Sequence, residues 1–219
     1  MKVALFDYGA GNLHSLGKAL EAEGVQVVVT DDWDRALALD ALVLPGVGAF
    51  GQAAASLPED RTALRRALEG GKPALGICLG MQLLLDESEE STGDGIGLVP
   101  GRVQRLEASV VPQMGWNDVE TGDDSVFREV APLVAYYANS YVCEPADPAH
   151  VIAWSEYEGR RYAAAVRKGR SWGVQFHPEK SSAAGRRILA NWVALARAAC
   201  LEDADHRGDE PRDDGGSVS

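Results

Sequence analysis

The chain has 219 residues and a formal net charge of −12 at pH 7, with 46% hydrophobic and 25% charged residues. This length allows a sizeable core in one large or two small domains, and the acidity argues against a nucleic-acid-binding surface. No apolar stretch is long enough to predict a membrane span. The 3 cysteines form no Cys-x-x-Cys pair, so neither a disulfide framework nor a zinc site is indicated. Without a signal-peptide pattern, these features predict a cytoplasmic protein.

Apolar runs alternate with helical patterns in the first half of the chain. Short strands are predicted at 3–6, 25–29, 41–44 and 74–77, and helices at 13–23, 31–38 and 59–70. Strands that alternate with helices predict parallel βαβ units, because parallel strands need a crossover connection. Such folds bind ligands in the turns that follow the carboxyl ends of their strands.

The second half of the chain predicts a different arrangement. Brief turns separate short extended segments at 99–106, 117–120, 135–142, 151–157, 162–167 and 171–176. We therefore expect an α/β fold, in which antiparallel hairpins extend a mostly parallel, doubly wound sheet within one domain, residues 1–200. The last helix is predicted at 185–200, and the acidic residues 201–219 are predicted to form a disordered tail.

A cysteine lies between a predicted strand and a predicted helix. Residues 73–82 read Pro-Ala-Leu-Gly-Ile-Cys-Leu-Gly-Met-Gln, and a helical pattern continues to about residue 87. Gly-x-Cys-x-Gly has the spacing of a nucleophile elbow, whose small neighbours permit a sharp, strained turn. The start of a helix favours a thiolate at Cys78, and the backbone N–H of Leu79 is suited to bind an oxyanion. A buried structural cysteine is the alternative.

Candidate partners for Cys78 follow the last predicted strand. Pro178 favours an extended conformation for the preceding His177. Residues two apart in an extended segment point the same way, so Glu179 can contact the imidazole. Both segments follow strands whose carboxyl ends share one edge of the sheet. The pattern predicts a Cys-His-Glu hydrolase with a nucleophile, a base and a carboxylate that orients the base.

A glycine-rich turn raises the alternative of a dinucleotide site. Gly46, Gly48 and Gly51 match Gly-x-Gly-x-x-Gly, but the expected acidic residue at the end of a second strand is not found. A lone match of this kind is weak evidence. The turn at 45–48 is better suited to a close approach of its backbone to a substrate, because glycine has no Cβ atom.

Several motifs together resemble a known family. Gly-Ile-Cys-Leu-Gly-Met-Gln at 76–82 and Gln-Phe-His-Pro-Glu at 175–179 resemble class I (triad) glutamine amidotransferases, which have a flavodoxin-like fold. Further stretches are similar to the glutaminase subunit of imidazole glycerol phosphate synthase. They are Asp-Tyr-Gly-Ala-Gly-Asn-Leu at 7–13, Pro-Gly-Val-Gly-Ala-Phe at 45–50, Pro-Gln-Met-Gly-Trp-Asn at 112–117 and His-Pro-Glu-Lys at 177–180. The resemblance extends from about residue 2 to 197 and does not include the acidic tail.

The resemblance implies hydrolysis of L-glutamine to L-glutamate and ammonia through a thioester on Cys78. Ammonia would then pass through a channel to a cyclase subunit, which is a (βα)8 barrel and forms a heterodimer with this chain. There it would help to make imidazole glycerol phosphate and an aminoimidazole carboxamide nucleotide in histidine biosynthesis. No cofactor, metal, membrane or nucleic acid is expected to take part.

The resemblance also implies roles for individual residues. Cys78 would be the nucleophile, His177 the base and Glu179 the residue that orients it. The remaining implied residues are Leu79 and Val47 for the oxyanion hole, Gly48, Gln82, Asn139, Ser140 and Tyr141 for glutamine, and Asn12, Trp116 and Lys180 for the partner surface. Many relatives have histidine at the position of Asn139, a difference that is harmless if the contacts there are made by the main chain.

Two other functions remain open at this stage. A triad glutaminase could serve another synthase, although the stretches around Asp7 and Trp116 argue against that assignment. A catalytically silent binding or regulatory module of the same fold is the second alternative, and the intact set of Cys78, His177 and Glu179 argues against it.

Overall fold

The computed structural model describes residues 1–9, 13–46 and 48–208, the side chains of 204–208 excepted. Within these residues the β-strands are β1 (Lys2–Phe6), β2 (Gln26–Thr30), β3 (Ala41–Leu44), β4 (Ala74–Ile77), β5 (Glu87–Ser88), β6 (Gly101–Arg105), β7 (Gln113–Thr121), β8 (Leu133–Asn139), β9 (Tyr141–Pro145), β10 (Val151–Tyr157), β11 (Arg160–Lys168) and β12 (Ser171–Val174). The α-helices are α1 (His14–Glu21), α2 (Trp33–Ala38), α3 (Phe50–Ala55), α4 (Thr62–Glu69), α5 (Leu79–Gln82) and α6 (Ser182–Gly208).

The main sheet has the strand order β2-β1-β3-β4-β12-β11-β10-β7-β8. The first five strands in this order are parallel, and the remaining neighbours pair antiparallel. The prediction of a mostly parallel sheet extended by antiparallel hairpins is therefore confirmed. The carboxyl ends of β3, β4 and β12 lie side by side, and all three strands are buried throughout.

Helices cover both faces of the parallel part. Alternate residues of β1 enter different apolar clusters, because successive side chains of a strand point to opposite faces. Val3 and Leu5 pack with residues of α1 and α6, whereas Ala4 and Phe6 pack with residues of α3, α4 and α5. This is the doubly wound arrangement, in which a sheet buried on both faces reads as short apolar runs.

Some strands form a second, smaller sheet instead of extending the first. Its order is β5-β6-β9, with β5 parallel to β6 and β6 antiparallel to β9. The segment predicted at 99–106 was thus assigned to the wrong sheet. The segment predicted as one strand at 135–142 divides at Ser140 into β8 of the main sheet and β9 of the small sheet. Only Ser140 separates β8 of the main sheet from β9 of the smaller sheet. This turn lines the cavity that contains Cys78.

Two helix predictions were wrong in length. Helix α5 ends at Gln82, four residues after Cys78, rather than near residue 87. Helix α6 begins at Ser182 and continues to Gly208, so the first part of the segment predicted as a disordered tail is helical. Arg170 contributes to this extension, because its guanidinium donates to Glu202 at 2.6 Å and to Asp203 at 2.8 Å. Residues 209–219 lie outside the described part of the chain.

No helix in the described part of the chain combines the length and the apolar character that crossing a membrane would require.

Candidate active site

Cys78 occupies a strained turn between β4 and α5. Its φ of 47° and ψ of −101° lie outside the regions that residues with a Cβ atom normally adopt. The surrounding glycines make this turn possible. A Cβ atom on Gly76 would lie 2.5 Å from the carbonyl carbon of Gly80, and one on Gly80 would overlap the carbonyl of Leu44. The sequence Gly-x-Cys-x-Gly therefore folds as the predicted elbow.

His177 and Glu179 reach Cys78 from the end of β12. The pairing of Val174 with Ile77 in parallel strands brings the two chain segments together. His177 is extended, as predicted from Pro178, and its Nδ1 lies 2.9 Å from Oε1 of Glu179. Both side chains are almost completely buried. The structure thus brings all three residues of the predicted triad together.

The environment of His177 favours its protonated form. Burial alone lowers the pKa of His177, but hydrogen bonds with Cys78 and Glu179 outweigh it and raise the pKa from 6.5 to about 9. The imidazole is therefore expected to carry a proton at neutral pH. A protonated imidazole next to Cys78 stabilises a thiolate electrostatically. This contact is more important than the dipole of α5, because a helix of four residues has only a small dipole.

A cavity of about 340 Å³ opens above Cys78. It is large enough for an amino-acid substrate, and both Cys78 and His177 line it. The other residues that line it are Gly46, Gly48, Leu79, Gln82, Glu90, Ala138, Asn139, Ser140, Tyr141 and Lys180. Every glutamine-binding residue predicted from the sequence is therefore on its wall. A larger cavity of about 550 Å³ lies around α4, away from Cys78.

The side chain of Asn139 holds part of the cavity wall. Its Nδ2 donates to the carbonyl oxygen of Tyr141 at 3.1 Å, and Nε2 of Gln82 donates to the same oxygen at 3.2 Å. An imidazole N–H at this position could make an equivalent contact. The side chain of Asn139 therefore holds the turn at residues 139–141.

The predicted oxyanion hole is described on one side only. Leu79 begins α5 directly after Cys78, where backbone N–H groups at a helix start lack partners within the helix. Gly46 lies against the elbow, and a Cβ atom on it would approach Cys78 Cβ and His177 Cε1 to 3.0 Å each. Val47 and Asn12 lie outside the described residues.

Two polar residues of the site were not predicted from the sequence. Glu90 lies on the cavity wall and accepts a hydrogen bond from the backbone N–H of Phe50 at 2.9 Å. Gln175 is completely buried, and its Nε2 donates to Sγ of Cys78 at 3.4 Å. Glu90 belongs to a polar loop without a recognisable pattern. Gln175 begins the Gln-Phe-His-Pro-Glu motif, but its contact with Cys78 depends on strand pairing, which the motif does not specify.

Trp116 and Lys180 lie at the mouth of the cavity. Trp116 packs edge-on against Tyr136, with ring centroids 6.0 Å apart, and Lys180 Nζ lies 5.7 Å from the centroid of the same ring. Met114, Trp116 and Val134 expose 67%, 54% and 41% of their surface. Alternation along the paired strands β7 and β8 places them on one face. These residues form an apolar face continuous with the cavity mouth.

The geometry at Cys78 is suited to acyl transfer. Cys78 lies against a buried imidazole whose raised pKa favours its protonated form, and a carboxylate fixes the orientation of that ring. The cavity gives an amide or ester carbonyl access to the sulfur, with backbone N–H groups of the α5 start close by. The imidazolium can deliver its proton to a leaving group.

Comparisons with known proteins identify the family. The sequence matches the family Glutamine amidotransferase class-I over residues 4–195. The protein named imidazole glycerol phosphate synthase subunit HisH of Synechococcus elongatus is 42% identical over 209 residues, covering 92% of this chain and 96% of the relative. The proteins of the same name are 43% identical in Corynebacterium diphtheriae, covering 89% and 99%, and 45% identical in Methanothermobacter thermautotrophicus, covering 90% and 100%.

Solved structures of low sequence identity share the fold. A protein described as glutamine amidotransferase has a TM-score of 0.71 at 18% identity, covering 89% of this chain and 98% of its own. PurLQS from Thermotoga maritima has a TM-score of 0.70 at 20% identity, covering 88% and 97%. From the sequence relatives and the family match, the chain belongs to the class-I glutamine amidotransferases and, among them, to the HisH family.

Proposed function

We propose that this protein is the glutaminase subunit of imidazole glycerol phosphate synthase and hydrolyses L-glutamine to L-glutamate and ammonia in histidine biosynthesis. One observation carries the proposal: a member of the HisH family has Cys78 in a strained elbow, beside a buried His177 whose pKa is raised, below a cavity of amino-acid size. The enzyme class follows from family membership, and the roles of individual residues are inferred from geometry.

The reaction proceeds through a thioester on Cys78. The thiolate attacks the amide carbon of glutamine, and the new C–S bond converts the carbonyl into an oxyanion. His177 then delivers its proton to the amide nitrogen, the C–N bond breaks and ammonia leaves. A water molecule, deprotonated by His177, attacks the thioester and releases glutamate. Glu179 keeps the imidazole in the required tautomer and stabilises it while it is charged.

We assign the oxyanion to the backbone N–H of Leu79 and, from the resemblance alone, to that of Val47. Gly46 and Gly48 flank the second donor, and the φ of 114° at Gly48 is one that only glycine adopts readily. A peptide between two glycines can reorient at little cost. We infer that the second N–H turns towards the substrate only when the partner subunit is engaged, which limits the hydrolysis of glutamine by the free chain.

Glutamine is held by the cavity wall. Gln82 and Asn139 fix the Tyr141 carbonyl, and this turn together with Ser140 and Gly48 surrounds the substrate. Glu90 supplies a carboxylate on the same wall. We assign the α-ammonium group of glutamine to Glu90, because a cation is the natural partner of a carboxylate in a partly desolvated site.

The apolar face at the cavity mouth is assigned to the cyclase subunit, which is a (βα)8 barrel. Exposed tryptophan and methionine side chains are typical of interface centres. Trp116 and Lys180 both pack against Tyr136 there, and Ala138 and Lys180 connect the face to the cavity. Ammonia released at Cys78 would thus leave towards the partner, where imidazole glycerol phosphate and an aminoimidazole carboxamide nucleotide are formed. Asn12 is assigned to the same surface from the resemblance alone.

The test measures glutamate release by the purified chain, alone and with a histidine-pathway cyclase and its nucleotide ligand. We expect strong stimulation by the liganded cyclase and a loss of at least about 1000-fold in Cys78→Ala, because the nucleophile is absent. Turnover by Cys78→Ala would contradict the mechanism. No stimulation, with Cys78 still trapped by a glutamine-analogue electrophile, would instead indicate a glutaminase of another synthase. Failure of both turnover and trapping would indicate a silent module.

A further inference from the structure

Gln175 contacts the sulfur that the proposed reaction uses. Its side-chain Nε2 lies 3.4 Å from Sγ of Cys78, and the residue has no exposed surface. Among the described residues its Oε1 atom is buried without a hydrogen-bond partner. A buried amide that leaves its acceptor unpaired costs free energy, so its burial beside the sulfur is not explained by structural hydrogen bonding alone.

The backbone fixes this contact from both strands. The N–H of Cys78 donates to the carbonyl of Val174 at 2.7 Å, and the N–H of Gln175 donates to the carbonyl of Ala164 at 2.8 Å. Gln175 therefore follows β12 directly beside the elbow that follows β4. Gln175 and His177 are two residues apart and project to the same side. A single short segment thus places an amide donor and an imidazole against one sulfur atom.

We propose that Gln175 is a catalytic residue whose amide N–H stabilises the thiolate of Cys78 before it attacks. A thiolate accepts such a hydrogen bond much better than a neutral thiol does, since hydrogen bonds to charged groups are the stronger class. The proposal rests on the assigned role of Cys78 as nucleophile. Two groups then stabilise the sulfur, namely the neutral amide of Gln175 and the charged imidazolium of His177.

Several titratable groups surround the same sulfur. His177 makes a hydrogen bond with Cys78, and Glu179 lies behind the imidazole. Cys143 of β9 is close enough to interact electrostatically with Cys78, and burial raises the pKa of Cys143 well above its usual value. Glu90 lies on the cavity wall. Gln175 differs from all of them because it does not ionise, so its effect persists across the pH range.

The test measures the rate at which iodoacetamide alkylates Cys78 from about pH 5.5 to about pH 9.5, identified by mass spectrometry of the Cys78 peptide. Gln175→Met retains the length of the side chain without the N–H. We expect its alkylation rate to fall about 10-fold near neutral pH and its pH midpoint to rise. At high pH the rate should equal or exceed that of the parent, because a less stabilised thiolate is the stronger nucleophile.

Two further variants exclude a merely structural effect. Gln175→Glu places a carboxylate at the sulfur and should move the midpoint at least as far as Gln175→Met. Gln113→Met alters another almost fully buried glutamine, which does not line the cavity, and should leave the alkylation profile of Cys78 unchanged. If the rate of Cys78 alkylation in Gln175→Met depends on pH as it does in the parent, the proposal is overturned, even if glutamine turnover by the parent is observed. If Gln175→Met shows the expected shift but the parent protein does not turn over glutamine in the liganded complex, the proposed function would be overturned and the role of Gln175 would remain.

Discussion

At the scale of single residues, the decisive feature is a buried imidazole whose polar neighbours raise its pKa. Nδ1 of His177 lies 2.9 Å from Oε1 of Glu179, and Cys78 is the other polar neighbour that raises the pKa of the imidazole. The energetic consequence extends to the whole protein, because a group whose pKa differs between folded and unfolded states makes stability depend on pH. For His177 the folded pKa is about 9, compared with 6.5 as the ordinary value.

A pH-dependent contribution to stability is therefore expected from His177. Its stabilising effect is fully present below about pH 6.5 and is lost as the pH rises through about 9, because the unfolded imidazole binds its proton less tightly. The full shift corresponds to about 3 kcal/mol. In Glu179→Gln the carboxylate that supports the raised pKa of His177 is absent. Over the same pH range, the free energy of unfolding of this variant should therefore fall by about 1 kcal/mol less than that of the parent.

Urea unfolding at about pH 6 and about pH 9.5 measures this difference. Glu120→Gln is the control, because it also removes one carboxylate. Glu120 is exposed and pairs with Arg161 at 2.9 Å instead of with His177. Its stability should follow that of the parent at both pH values. Parallel loss of stability in Glu179→Gln and the parent would show that the carboxylate does not sustain the proton on His177.

The triad was accessible to sequence reasoning because its determinants are local. Gly-x-Cys-x-Gly predicts the elbow. Pro178 favours an extended His177, and the two-residue spacing to Glu179 then orients the imidazole towards the carboxylate. Glu90 and the contact of Gln175 were not accessible in the same way. Glu90 reaches the cavity from a loop, and the contact from Gln175 to Cys78 joins residues 97 positions apart. Such contacts depend on how strands pair, which periodicity does not specify.

At the scale of elements, the elbow depends on the absence of side chains at its glycines. Strand β4 and helix α5 approach so closely that a Cβ atom on Gly76 would lie 2.5 Å from the carbonyl carbon of Gly80, and a Cβ atom on Gly80 would overlap the carbonyl of Leu44 on β3. Close packing of this kind is possible only between residues without Cβ atoms.

Substitutions at two glycines should have opposite effects on stability. Gly80→Ala forces a Cβ atom into the carbonyl of Leu44 and should lower the free energy of unfolding by about 1–3 kcal/mol. Gly17→Ala lies within α1, where the nearest atom to the new Cβ is 3.8 Å away. It should raise that free energy by about 0.5–1 kcal/mol, because alanine favours the helix. Chemical denaturation measures both, and a destabilised Gly17→Ala protein or an unchanged Gly80→Ala protein would contradict this account.

Element lengths and partners were harder to predict than element types. The apolar sequence that follows Cys78 continues to Leu85, and these residues are buried on every side. Their pattern therefore does not mark where α5 ends. Strands β5, β6 and β9 form the smaller sheet, in which the pairing of Val103 with Cys143 joins positions 40 residues apart. Local sequence patterns do not specify such distant pairs. Ion pairs with Arg170 support α6 beyond residue 200, where composition alone indicated disorder.

At the scale of the whole molecule, the antiparallel strands connect the site to the surface. The inward face of β7 and β8 is buried against the core, whereas their outward face carries Met114, Trp116 and Val134. Asn139, at the end of β8, belongs to the cavity wall. One pair of strands thus contributes both to the proposed glutamine site and to the proposed partner surface. Their register also keeps the apolar face adjacent to the cavity mouth.

The partner surface leads to a prediction about association. Trp116 exposes 54% of its surface and packs against Tyr136 at the cavity mouth. Tryptophan at the centre of an interface often contributes about 2 kcal/mol or more, so Trp116→Ala should weaken binding to the cyclase subunit by about 30-fold. Trapping of Cys78 by a glutamine-analogue electrophile in the free chain should be unchanged, because the side chain does not line the cavity.

Trp154→Ala provides a matched control for this measurement. Trp154 is also a partly buried tryptophan, but it lies beneath Arg161 and lines a separate cavity with Cys143. Titration calorimetry with the cyclase should give the parental affinity for Trp154→Ala and reduced affinity for Trp116→Ala. Equal loss in both variants would indicate a general effect of tryptophan removal on folding. Parental affinity in both would remove the apolar face at the cavity mouth from the interface, because its largest exposed side chain would then contribute nothing to association.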